Sequence, residues 1–132
     1  MKTLFKVIMM CTLLICSNVF ATNSLEAVEK VSLNNVNLEL NPFFRNLSEV
    51  TSKDSGYAFI AKLKSPMLVK DQEYGQIGSV EAFTLRLTQA QYRLVRERIK
   101  NNEKVSLFGS VAMPESSIEV IGHAVLVVNS IR

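Results

Sequence analysis

The amino-acid sequence predicts a mainly β fold: a small five-stranded barrel in the order β-β-β-α-β-β, with one helix between strands three and four. Three observations carry that prediction. Val80–Leu87 is an apolar segment bounded by Gly78 and Thr88, and its length and mix suit a largely buried strand. Thr88–Asn102 follows with the 3.6-residue period of a short amphipathic helix. Val105, Leu107, Gly109 and Val111 then alternate with Lys104, Ser106 and Ser110, so the chain returns to strand periodicity.

The helix carries its own boundaries. Thr88 and Gln91 have capping-box spacing, in which a hydroxyl and an amide three residues apart satisfy each other's backbone donors. Tyr92, Val95 and Ile99, widened by Leu94, make the apolar stripe, while Arg93, Arg96, Glu97 and Lys100 face water. Asn101-Asn102 ends it, because asparagine tolerates the left-handed conformation of a C-cap.

The first strand is the Val28–Leu40 segment. Its apolar set changes parity at Asn34-Asn35, from Val31 and Leu33 to Val36, Leu38 and Leu40, which predicts a β-bulge or sharp bend. Asn41-Pro42 breaks it, and a long connection runs to the turn signal Lys53-Asp54-Ser55-Gly56. Strand two is Tyr57–Lys64, with Tyr57, Phe59, Ala61 and Leu63 inward and Ser65-Pro66 stopping it, after which Met67-Leu68-Val69 continues extended. Lys70–Gly75 is a polar loop, and Met113–Ser117 turns the chain into a last strand, Ile118–Ile131, in which Gly122 offers a bulge.

The amino terminus is expected to be an address and no part of the fold. Lys2 and Lys6 precede the apolar run Val7–Ile15, and Val19-Phe20-Ala21 places small residues at cleavage offsets. Residues 1–21 therefore read as a cleavable signal peptide, and 22–132 as a single domain that is periplasmic or secreted, with no transmembrane segment after cleavage. Both cysteines, Cys11 and Cys16, lie in the leader, and Ile15 before Cys16 disfavours lipidation there. The exported chain then has no disulfide, and its core must suffice alone. Of fifteen basic residues two belong to the leader, which has no acid, so thirteen stand against twelve and the net charge falls from +3 to +1. A general affinity for polyanions does not follow from that balance.

A five-stranded barrel in this order, with a bent first strand, is the arrangement of the OB-fold. The segments KLKSP after strand two, LRLTQAQYRLVRERIKNNEKVSLFGSV across the helix, and AVLVV near the end resemble a family of small exported bacterial domains of unknown function. The resemblance spans most of residues 28–131 and implies an OB-like barrel and an exported compartment. It implies no activity. The histidine-rich stretch usual in that family has no clean counterpart in Ser116–His123, so no role carries over to it.

The residues offer little for catalysis. His123 is the only histidine, no cysteine survives cleavage, and neither a nucleophile elbow nor a phosphate-binding glycine loop is present. No catalytic, metal or cofactor-binding residue is assigned, and the expectation is a protein that is not an enzyme. The acid pairs Asp71/Glu73 and Glu115/Glu119 read as solvated loop carboxylates, and Arg93, Arg96 and Lys100 as a solvated helix face. The leading reading is an exported binding module that contacts a protein or small ligand of the cell envelope through one barrel face and its long loops. The alternative is a periplasmic immunity or inhibitor protein that occludes a toxin or envelope hydrolase, and an oligomerising saccharide-binding subunit is a third. Nucleic acid is excluded as partner, because Tyr57 and Phe59 are in phase with the core and export separates the chain from it. The expected contact residues are Phe43, Phe44 and Arg45 of the long connection, with Lys62, Lys64 and Arg86 pointing outward from strands two and three.

Overall fold

A computed structural model describes residues 26–119 and 123–132. The expected leader, Val120 and the expected bulge at Gly122 lie outside them. The described chain is mainly β: β1 (Lys30–Val36), β2 (Leu38–Leu40), β3 (Phe59–Lys70), β4 (Ile77–Arg86), α1 (Gln89–Lys100), β5 (Val105–Ala112) and β6 (His123–Ile131), with short 3-10 turns at Leu47–Glu49 and Ser55–Tyr57. Six strands form one curled sheet in the order β1-β5-β6-β4-β3-β2. Five were expected. The difference arises at Asn37, where the first strand breaks into two pieces that lie at opposite ends of the sheet order. One chain segment thereby joins both edges, which gives a barrel-like curl.

The parity change in the first strand has the predicted cause. Leu33 faces Leu107 and Val36 faces Val105, so three steps in β1 match two in β5, and Asn35 has φ 52. Asparagine tolerates that left-handed value better than the valine beside it. The helix also forms as read: Thr88 accepts from the Gln91 amide, Gln91 reaches back to the Thr88 amide, and Asn102 takes φ 58 just past the C-cap. Tyr92 and Val95 enter the core, where Tyr92 stacks on Phe59 at 5.9 Å between ring centres. Leu94, expected to widen the stripe, is 41 % exposed and lies off it.

Strand two corrects the reading of Ser65-Pro66 as a stop. β3 runs through both residues to Lys70, and the ladder to β4 skips from Lys62 to Met67. Proline has no N–H to donate, so it sits in the unpaired bulge while the backbone stays extended. Inner positions Phe59, Ala61, Phe83, Leu85, Ala124, Leu126, Leu107 and Val111 build the core. Gly109 is required where β5 meets β6, since a Cβ there would lie 2.2 Å from the Val127 carbonyl oxygen. No helix among the described residues is long and apolar enough to cross a membrane.

Candidate functional site

Strand alternation sets out the outer face of β3, β4 and β6. Ile60 pairs with Thr84 and Lys62 with Ala82, while Thr84 and Arg86 pair with Val125 and Val127 in the parallel ladder to β6. Ile60, Ala82, Thr84 and Val125 are nevertheless buried. The connections 41–58 and 113–119 cover this part of the face, and polar groups pin them. The Asn41 side-chain amide donates to the Tyr57 carbonyl at 2.9 Å and the Ile118 carbonyl at 3.0 Å, joining the two connections directly. The Thr84 hydroxyl donates to the Glu119 carbonyl at 3.0 Å.

Arg86 is the clearest correction to the expected site. It stands on the outer face, but its Nε donates to Glu119 Oε2 at 3.0 Å and its Nη2 lies 2.9 Å from the same oxygen. That second approach is an ion-pair contact angled away from a good hydrogen bond. Glu119 is 1 % exposed and also accepts the Glu115 amide at 2.8 Å. The arginine therefore neutralises a buried carboxylate and is not a free cation. Asp71 was likewise expected to be solvated and is buried. Its carboxylate accepts the Met113 amide at 3.1 Å and the Tyr74 amide, anchoring the β3–β4 loop to the end of β5.

The other expected contact residues divide. Phe44 is buried, so of these two rings Phe43, 53 % exposed, is the one that presents an aromatic surface. Arg45 is exposed and paired with Glu49 at 2.8 Å. Lys62 and Lys64 are exposed on β3 and flank the half-buried Leu63. Lys62 is the cross-strand neighbour of Ala82, and Arg86 lies four residues farther along β4, about 13 Å away. Arg86 lines a separate depression with Asp71, Glu73, Ser110 and Val127. The three cations do not converge.

What the structure does bring together is a ridge, Lys62-Leu63-Lys64, with a groove on each side. One groove, about 540 Å³, is lined by Pro42, Ile60, Ser65, Pro66, Glu81 and Ala82. The other, about 500 Å³, lies between β3 and the bent first strand and is lined by Ser32–Asn37, Glu39 and Lys104. Lys62 touches Glu39 at 3.3 Å with both side chains more than half exposed, a pair worth at most about 1 kcal/mol and readily exchanged. Lys64 and Lys104 make no ion pair among the described residues. Lys104 and the asparagines of the bend were not expected here. The parity change at Asn34-Asn35 was the available signal, since a strand that bends away from its neighbour opens a gap.

Among the described residues, no three His, Cys, Asp or Glu side chains gather where a metal ion could bind. No family model matches the chain, and searches of curated proteins and of solved structures also return no match.

Proposed function

We propose that this chain is an exported, non-enzymatic binding module of OB-like form, which holds an anionic ligand or macromolecule of the cell envelope on the Lys62-Leu63-Lys64 ridge. The observation that carries the reading is the ridge itself. Two exposed ammonium groups flank a half-buried leucine between two grooves of several hundred Å³, a combination of charge, apolar floor and concavity that suits binding. Pro42 lines one groove, and the exposed Phe43 next to it in sequence is an aromatic available to a bound partner.

Support for the OB-like form comes from the chain path: a first strand split across both sheet edges, a parallel pairing of β4 with β6, and the helix between β4 and β5. Support for export, and for kinship with the small exported domains that the helix region resembles, comes from the sequence alone.

The test compares the protein with a Lys62→Ala/Lys64→Ala variant, each immobilised and challenged with envelope extract. Both lysines are exposed, so unfolding stability should stay within about 0.5 kcal/mol. Loss of the captured ligand at unchanged stability supports the proposal, and capture at full strength by the variant overturns it. Stoichiometric capture of one envelope enzyme, with its activity blocked, would replace it with the inhibitor reading.

A further inference from the structure

The groove between β3 and the first strand is a gap in the sheet, with main-chain groups on both of its walls. Among the described residues, the first strand pairs with β3 at two places. Leu38–Leu40 pair with Phe59–Ala61, and Val28 bridges Val69, its amide donating to Leu68 O at 3.2 Å and its carbonyl accepting from Lys70 N at 2.9 Å. Between these points β1 pairs with β5 alone, and Leu63–Pro66 have no ladder partner among the described residues.

Alternation tells which backbone groups face the gap. The Glu29 carbonyl accepts from Val111 N, so before the Asn34–Asn35 bulge the odd residues of the first strand point to β5 and the even ones to β3. By that rule Lys30 and Ser32 present N–H and C=O to the gap, as Val28 does to Leu68 and Lys70. On the opposite wall, Asn41 N donates to Ala58 O, which sets the even residues of β3 toward the first strand, and Leu68 and Lys70 keep that parity at the far end. Lys64 and Pro66 fall between. Pro66, which lacks a donor, occupies a position with no ladder partner among the described residues.

Side chains set the sign of what would fit. Lys62, Lys64 and Lys104 line the gap against one acid, Glu39, with Asn34, Asn35 and Asn37 as neutral donors and acceptors and Leu33, Val36 and Leu63 as apolar floor. We infer that this gap is a strand-addition site for an extended acidic peptide of about six residues, bonded through its backbone to the walls and through its carboxylates to the lysines. This rests on the binding-module reading above and narrows it to a partner class. Free strand edges favour a peptide over a saccharide, because only a peptide offers donors and acceptors at the repeat of the walls.

The probes are a six-residue peptide of alternating glutamate and valine, the same peptide with lysine for glutamate, and an acidic version N-methylated at alternate residues. Binding to the full chain is followed by NMR, with amide exchange read at Lys30 and Ser32. The expected result is binding of the acidic peptide, slowed exchange at those amides, and at least a tenfold loss on N-methylation. Lys64→Glu/Lys104→Glu should reverse the preference to the lysine peptide. Equal binding of the N-methylated peptide, or binding without slowed exchange, overturns strand addition while leaving the cationic ridge as a binding surface. Failure of the acidic peptide to bind, with envelope capture still dependent on Lys62 and Lys64, also overturns the peptide and spares the broader proposal. Slowed exchange on raising protein concentration alone would assign the gap to a second copy of the chain and overturn it too.

Discussion

The Arg86–Glu119 pair makes an asymmetric prediction. Glu119 is 1 % exposed and has three approaches, from Arg86 Nε at 3.0 Å, Arg86 Nη2 at 2.9 Å and the Glu115 amide at 2.8 Å. The Arg86 side chain is 27 % exposed and also lies 3.7 Å from Glu115, so it keeps water and a second carboxylate if Glu119 is neutralised. Arg86→Met preserves most of the stem packing but leaves a buried carboxylate with one hydrogen bond, at a cost of about 3–5 kcal/mol. Glu119→Gln keeps the shape and the Glu115 contact and strands only a partly hydrated cation, at a cost of about 1–2 kcal/mol. The double change Arg86→Met/Glu119→Leu removes both charges, and the freed Glu115 amide belongs to an exposed residue that water can reach. It should therefore be more stable than Arg86→Met alone, which is the signature of a desolvated charge. Urea denaturation of the three variants, with m-values to check that unfolding stays two-state, measures each cost. Thermal melts should show Arg86→Met lower by roughly 12 °C or more at this chain length. If Glu119→Gln cost as much as Arg86→Met, or the double change were the worst of the three, the reading of Glu119 as the buried dependent partner would be wrong.

The remaining predictions use the same measurements. Asn41→Ala removes the bonds to Tyr57 O and Ile118 O and the acceptor for the Phe43 amide, and should cost about 3 kcal/mol while speeding hydrogen exchange in both connections. Gly109→Ala drives a methyl onto the Val127 carbonyl oxygen, 2.2 Å away, and should cost about 3 kcal/mol in a thermal or urea melt. Mass spectrometry of the protein from its producing cell should find an amino terminus near Thr22, and an intact Met1–Ala21 segment would refute export by cleavage.

The helix and the first-strand bulge were legible because their causes are local. Thr88, Gln91 and Asn102 act within four residues of the backbone groups they satisfy, and a bulge leaves a parity change wherever it occurs. Pro66 misled for a physical reason. Ladder pairing to β4 lapses from Leu63 to Pro66, but an unpaired backbone can remain extended, and pairing resumes at Met67. The buried acids were illegible because charge reads as exposure until a partner is found. Glu119 finds Arg86 33 positions away, and Asp71 finds the Met113 amide 42 positions away. Phe43 and Phe44 are adjacent and chemically identical, so only their placement on the folded sheet separates the exposed ring from the buried one. Lys104 and the asparagines of the bend line a groove that opens where the first strand parts from β3; the parity change marks the bend, but which side chains gather at it is a tertiary outcome.

Two cations on one sheet face can differ entirely in availability, and that difference is why the proposed site is placed at Lys62 and Lys64 and away from Arg86. A ligand drawn to Arg86 would compete with Glu119 for a pair whose separation leaves a carboxylate buried and unpaired, at a cost of several kcal/mol. A ligand drawn to Lys62 displaces water and the exposed Glu39, at about 1 kcal/mol or less. Lys64 has no acid to displace among the described residues. The same connections that hold Arg86 also bury Thr84 and Val125, so the face beside Arg86 is covered. Binding free energy on this face therefore favours the end where β3 leaves its ladder. There the lysines are exposed, Leu63 is half-buried, and Leu63–Pro66 have no ladder partner among the described residues. The bulge that interrupts the sheet and the charge that decorates it coincide in the residues 62–66.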